Sequence, residues 1–377
     1  VRAYLLMMLI SAVVTFFGTF SVLKLAHKYK IYPAIRSRDV HTRPTPRLGG
    51  VAMFGGFLVT VVIAGSLGWF KSVYAEPVHI IAIVAAAFLI TLIGFLDDLY
   101  DLDWSLKLAG QFLVAGILAW QGVQIVSLPI GGLTIGSFGI SFIATVFLAV
   151  LVMNAVNFID GLDGLVAGVV FIGTAVFFAY SYLLAQQTSP TNYFNLASLL
   201  SAIVLGMCIG FLPYNWHRAK IFMGDSGAML LGLLMATSAL TVTGQIDPQI
   251  ISRGELIPAF IPLILPLAIL ILPLLDFSLA VFRRLRAGKS PFAADREHIH
   301  HRLQDFGHSH LGSVLVFYVW TALISLTCLL FFFWPNWAVW LFLNFGLIAA
   351  LTFTLWPLIK RRQKLSRNKS QKIGSNV

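Results

Sequence analysis

Residues 138–164 read FGISFIATVFLAVLVMNAVNFIDGLDG, a run of lipid-soluble side chains that ends in two amides and two carboxylates. The apolar part, 138–156, has the length of about 20 residues that a helix needs to cross a bilayer. The polar part keeps a helical rhythm: Asn154, Asn157, Asp160 and Asp163 recur every third residue. Each neighbouring pair then shares a face, while the row turns by roughly 60° per step. A straight helix would carry Asp163 to the side opposite Asn154. Gly161 and Gly164 predict instead that the helix ends or bends here, so that the later carboxylates fold back towards the earlier amides. A helix end dressed with capping residues accounts for the same stretch, and the choice between the two depends on what else lies at that end of the molecule.

Working outward, runs of similar length lie near 3–25, 48–68, 78–97, 106–121, 164–184, 196–213, 226–243, 256–282, 311–333 and 336–358, which makes eleven with 138–156. The chain is 58% hydrophobic and 11% charged over 377 residues, with mean hydropathy +0.87. Such a composition excludes a soluble core and predicts an all-α polytopic membrane protein. The first run is too long for a cleavable signal, lacks a small-residue cleavage site and leads straight into Lys24, Lys28 and Lys30. The expected organisation is a single transmembrane domain over 1–358 and a basic, disordered cytoplasmic tail over 359–377.

Lysine and arginine set the orientation. With the 24–47 loop in the cytoplasm, only Arg2, Lys71 and Arg253 of the 26 basic residues fall outside. The N-terminus is then outside, the C-terminus cytoplasmic, and the net charge of +11 faces the anionic inner leaflet of a bacterial plasma membrane. Nucleic acid is not needed to explain it. Cys208 and Cys328 sit in separate runs, so neither a disulfide nor a thiolate metal site is expected.

The same topology collects the polar clusters on one face. The first loop sets Arg36, Arg38, Arg43 and Arg47 ahead of Gly49 and Gly50, the pattern of an anion-binding rim, and Gly55 and Gly56 read as helix-packing sites. In FLDDLYDLDW, Asp97 and Asp98 point about 100° apart on a helix, which implies two different tasks. A metal or Lys107 could balance their charge, while Asp101 and Asp103 suit a loop and the N-cap of the next helix. FLPYNWHRAKIFMGDSG, 211–227, offers Asn215, His217, Arg218 and Lys220 ahead of Gly224, Asp225 and Ser226. The serine and aspartate could cap a helix, or the helix start could meet a phosphate beside a magnesium-holding carboxylate. The 256–282 run is broken by Pro258, Pro262, Pro266 and Pro273. It leads to RRLRAGKSPFAADREHIHHRLQDFGHSH, where His298, His300, His301 and Arg302 suit phosphate or sugar better than zinc. Carboxylates for magnesium, cations for phosphates and histidines for a polar head group describe phosphoryl transfer more readily than ion conduction, although a cation-coupled transporter is the distant alternative.

Four motifs together carry a resemblance: DD at 97–98, NAVNFIDGLDG at 154–164, FMGDSG at 222–227 and SPFAADREHIHH at 290–301. In that order, over roughly 5–358, the chain resembles the polyprenyl-phosphate N-acetylhexosamine-1-phosphate transferases. The DREHIHH form and the eleven spans are similar to the WecA-type N-acetylglucosamine branch and unlike the muramyl-pentapeptide branch. The resemblance implies that UDP-N-acetylglucosamine and an undecaprenyl or decaprenyl phosphate give polyprenyl-diphospho-N-acetylglucosamine and UMP at the cytoplasmic face. Another UDP-sugar is the alternative, and a homodimer is left open. It implies Mg2+ (or Mn2+) on Asn157 and Asp225, assistance by Asp97 to the attacking lipid phosphate, and Asp98 beside the metal and diphosphate. Asn154, Asp160, Asp163, Asn215 and Phe222 match nucleotide-pocket positions, Phe222 by stacking on uracil. Lys107 matches a phosphate-facing lysine, and His298, His300, His301 and Arg302 match the segment that engages sugar and diphosphate.

Overall fold

The computed structural model describes residues 1–32, 45–125, 127–130, 133–134, 137–188, 194–243, 268, 271–288 and 299–374. Along these the apolar runs become helices: α1 (Arg2–Tyr29), α2 (Gly49–Ser66), α3 (Pro77–Tyr100), α4 (Trp104–Trp120), α5 (Phe138–Phe158), α6 (Leu165–Thr188), α7 (Leu196–Asn215), α8 (Gly224–Thr243), α9 (Ile271–Arg286), α10 (Ile299–Asp305), α11 (His310–Leu330) and α12 (Asn336–Gly374). Among the described residues nine are long and apolar enough to cross a membrane, and α4 is a shorter apolar helix. Most of the expected 256–282 span, with Pro258, Pro262 and Pro266, lies outside the described residues. The all-helical expectation needs one amendment: the loop after α4 carries a short antiparallel hairpin, β1 (Ser127–Ile130) with β2 (Leu133–Thr134).

α8 lies at the centre. It packs against α2, α3, α5 and α7, while α1 and α6 close round α7. Of the α8 span, 89% is buried by protein, against 11% of the α12 span. Outward faces carry Phe17, Val62, Ile81, Phe147 and Phe345, all well exposed, a surface that lipid tolerates and water does not.

Two glycines fix where α8 starts. A Cβ on Gly50 of α2 would overlap the Gly227 amide nitrogen, and one on Gly94 of α3 would overlap the Ser226 backbone. The first turn of α8 is thereby wedged between α2 and α3, a contact only small residues permit. The Gly49 and Gly50 N–H groups donate to the carbonyls of Phe222 (3.0 Å) and Met223 (2.9 Å). The close approach expected for an anion is thus made to protein backbone. Gly56 does meet a neighbour, Thr15 of α1, whereas Gly55 faces open space.

The basic tail also departs from expectation, because α12 continues as helix to Gly374. No proline or glycine interrupts 358–373, and lysine, arginine and glutamine are good helix formers.

Candidate functional site

The C-terminal ends of α3, α5 and α7 and the N-terminal ends of α4, α6 and α8 meet at one end of the bundle. Asp97 in the last turn of α3, Lys107 in the first turn of α4 and Asp225 in the first turn of α8 form one charge cluster. The Lys107 ammonium donates to Asp97 Oδ2 at 3.0 Å and also to Asp225 Oδ2. One cation between two carboxylates, in a partly buried setting, leaves a net negative charge at that point.

Asp98, one residue on, faces a different partner. Its Oδ1 accepts the Asp225 N–H at 3.0 Å, and its Oδ2 accepts the Ser226 N–H at 3.2 Å and the Ser226 hydroxyl at 3.0 Å. A carboxylate from α3 therefore caps α8 where a residue of α8 itself or a phosphate was expected. Gly224 adopts φ +70°, and a Cβ there would press on the Asp98 carboxylate, so the turn into α8 requires glycine. Asp98, which the resemblance sets beside a metal and diphosphate, is bonded in the fold to the backbone of Asp225 and Ser226. Asp103 does what its place suggested, capping α4 through the Ser105 N–H (2.8 Å) and hydroxyl (2.7 Å), and these two donors hold its carboxyl below the usual range.

The α5 end repeats this division. Asn154 donates to Gln111 Oε1 of α4 at 2.5 Å and to the Val150 carbonyl at 2.8 Å, an amide pairing that joins two helices. Gln111 escaped the sequence reading although it lies one turn beyond Lys107, on the same face of α4. Asn157 is placed otherwise: it lies within interaction reach of the Asp225 carboxylate, but its buried Nδ2 makes no hydrogen bond of normal geometry. An amide so placed can turn its carbonyl oxygen towards an ion held by Asp225, and amide and carboxylate oxygens are the donors a hard divalent cation takes. The residues fit magnesium.

α5 ends at Phe158, and the chain turns through 159–164 as the glycines predicted. Gly164, at φ +73°, donates its N–H to Asn215 Oδ1 (3.0 Å), and Asn215 Nδ2 donates to the Ile221 carbonyl (3.0 Å). Asn215 thus ties this turn to the 216–223 loop. Asp163 Oδ2 accepts the Ala219 N–H at 3.1 Å and lies 3.5 Å from His217 Nδ1. Asp160 stands in the same turn, and burial, with Asp225 adding to it, pushes its carboxyl up to about 7 against the opposing pull of Arg47. Arg47, the last arginine of the basic loop, is therefore near enough to Asp160 to act on its charge.

Phe222 is half-buried, with its backbone bonded to Pro46 and Gly49. Arg302 is exposed on α10, which packs on α11. His298 and the side chains of His300 and His301 lie outside the described residues, as do Arg36, Arg38 and Arg43.

A family profile, glycosyl transferase family 4, matches residues 80–243, which hold every motif but the histidine segment. A decaprenyl-phosphate N-acetylglucosaminephosphotransferase of Mycolicibacterium smegmatis is 37% identical over 366 residues, 96% of this chain and 90% of the relative. A probable undecaprenyl-phosphate N-acetylglucosaminyl 1-phosphate transferase of Bacillus subtilis is 35% identical over 297 residues, 78% of this chain and 75% of the relative. An undecaprenyl-phosphate alpha-N-acetylglucosaminyl 1-phosphate transferase of Escherichia coli (strain K12) is 28% identical over 362 residues, covering 92% and 91%. By the length and closeness of these matches, the chain belongs to glycosyl transferase family 4, among the polyprenyl-phosphate N-acetylhexosamine-1-phosphate transferases that its motifs resemble.

Proposed function

We propose that this protein transfers N-acetylglucosamine-1-phosphate from UDP-N-acetylglucosamine to a polyprenyl phosphate, releasing UMP, at the cytoplasmic face of a bacterial plasma membrane. The observation that carries the reading is the meeting of Asp97, Lys107, Asn157 and Asp225 at one end of the bundle. The names and 37% identity of the relatives support the sugar and the lipid class. The cytoplasmic side rests on the asymmetry of lysine and arginine.

Asn157 and Asp225 would hold the magnesium ion, which, when bound, draws charge from the diphosphate as UMP leaves. Lys107 neutralises two carboxylates in the free protein and can turn its ammonium to an incoming phosphate. Asp97 then stands beside the acceptor, where it orients the lipid phosphate and takes a proton from its monoanion. The acceptor is already nucleophilic, so displacement at the sugar-bearing phosphorus needs no aspartyl intermediate. Asp98, through its hold on the first turn of α8, keeps Asp225 aimed. Arg47, Arg302 and the histidine segment supply charge and donors for diphosphate and sugar.

Purified protein in detergent, offered a panel of UDP-sugars with a C50 or C55 polyprenyl phosphate, tests the proposal. UMP release with UDP-N-acetylglucosamine alone, and a lipid product heavier by one N-acetylhexosamine phosphate, is the expected result. Release with a different UDP-sugar alone would move the assignment to another branch, and no release with any would overturn it.

A further inference from the structure

Beyond the charge cluster, a second group of ligating side chains comes together from three separate segments. Asp163 stands in the turn between α5 and α6, His217 in the loop between α7 and α8, and His310 in the first turn of α11. Their ligand atoms all lie within 4.8 Å of one another. The Asp163 Oδ2 to His217 Nδ1 distance is 3.5 Å, and the two imidazole rings lie 5.3 Å apart between centroids at an interplanar angle of 30°. Donors on one tetrahedral ion sit about 3.4 Å apart, given metal–ligand distances near 2.1 Å. The aspartate–histidine edge already has that spacing, and a small rotation of the exposed His217 side chain brings in the rest.

The geometry points to a binding site for one transition-metal ion of the Zn2+ or Co2+ class, held by Asp163, His217 and His310. Three features support it. The carboxylate is pre-set: its side chain is 4% exposed and one oxygen is fixed by the Ala219 N–H. The backbone around each ligand is anchored, by Asn215 on both sides of the turn-to-loop contact and by the Ser309 cap of α11, whose Oγ accepts the Gly312 N–H at 3.1 Å. The donor set of two imidazoles and one carboxylate selects borderline ions over magnesium, which prefers oxygen alone. The donor set is thus chemically distinct from Asn157 and Asp225, and it shares Asp163 with the positions that the motifs match to the nucleotide pocket. Filled, it would pin the start of α11, and α10 just before it, to the α5–α6 turn. Three protein ligands leave a further position for water.

Metal-stripped full-length protein in detergent, with excess Mg2+ to fill oxygen sites, is titrated with Co2+ alone and followed by visible d–d absorption. Zn2+ is then added to displace it. The expected result is a single equivalent of Co2+ with nitrogen-ligand bands, reversed by Zn2+, with affinity lowered at least about tenfold in H217A and in H310A. A triple variant, H298A/H300A/H301A, should keep the bands, and Zn2+ should raise the Tm of wild type but not of H217A. Absence of the bands, bands unchanged in both single variants, or bands lost in the triple variant would overturn the site. The His217 side chain is 43% exposed, so H217A removes less buried packing than a change at Asp163 and reports on the metal even if D163N fails to fold.

Discussion

The α3 end and the α5 end each bring a pair of polar residues to α8, and each divides the pair in the same way. At α3, Asp98 spends both oxygens on the first turn of α8, while Asp97 meets side chains alone, the Lys107 ammonium and the Asp225 carboxylate. At α5, Asn154 is locked to Gln111, while the buried Nδ2 of Asn157, beside Asp225, makes no regular hydrogen bond. One member of each pair builds the site and the other stays available to it. A polar residue in a membrane protein is expensive to bury. The builders recover that cost through fixed backbone or amide partners, and the available members through side-chain partners such as the Lys107 ammonium, which can be exchanged.

The sharpest break of that comparison removes the available members. D97N, N157A and D225N should each lower magnesium-dependent UMP release by roughly a thousandfold or more, the scale of losing one preorganised electrostatic group. Tm in detergent should stay within a few degrees of wild type. Near-normal turnover in all three would dissolve the distinction at once. The builder Asp98 should behave otherwise. D98A strips three hydrogen bonds from the start of α8 and should destabilise by about 2 kcal/mol, the order of a lost charged cap, with activity falling alongside Tm. A D98A protein with wild-type Tm and no activity would mean that Asp98 belongs with the chemistry.

Next in size is the amide pair. Asn154 and Gln111, changed singly and together to alanine, should show a coupling of about 1 kcal/mol in unfolding, with little change in turnover per folded molecule. A large and separate loss of nucleotide affinity in N154A, measured by binding of UMP, would return Asn154 to the pocket that its motif position suggests.

How much of this was legible in sequence follows from how far apart the partners lie. The helices could be read because a membrane span is a local property, and the turn at 159–164 because Gly161 and Gly164 sit inside it. The division of labour could not be read. Asp98 caps a residue 127 positions away, and Asn154 pairs across 43, so nothing near either one shows its partner. Adjacent placement on a helix did say that Asp97 and Asp98 have different tasks, but not which task is whose. Gly49 and Gly50 announced a close approach and not what approaches, and that proved to be the Phe222–Gly227 backbone. His217 and His310 belong to different motifs, and only the fold puts them beside Asp163. The tail is helical for a local reason: its charge suits a solvated segment, and its lysine, arginine and glutamine residues also favour helix.

The smallest expected effect falls on Asp160, which sits between the two kinds of residue. Its carboxyl is raised to about 7 by burial and by the nearby Asp225 charge. The folded state therefore keeps a proton that the unfolded chain releases near pH 4. Between those values the folded protein binds more protons than the unfolded one, so Asp160 makes stability fall as pH rises from about 4 to about 7. Without divalent ions, Tm should decline across that window in wild type, and D160N should flatten the decline. Magnesium reverses the sign of the electrostatics, because an ion near Asp225 favours the ionised carboxylate. Magnesium affinity should accordingly strengthen as pH rises through 7 in wild type and change less in D160N. Identical pH profiles for the two proteins, in Tm and in magnesium binding alike, would remove Asp160 from the available set and leave it as part of the turn.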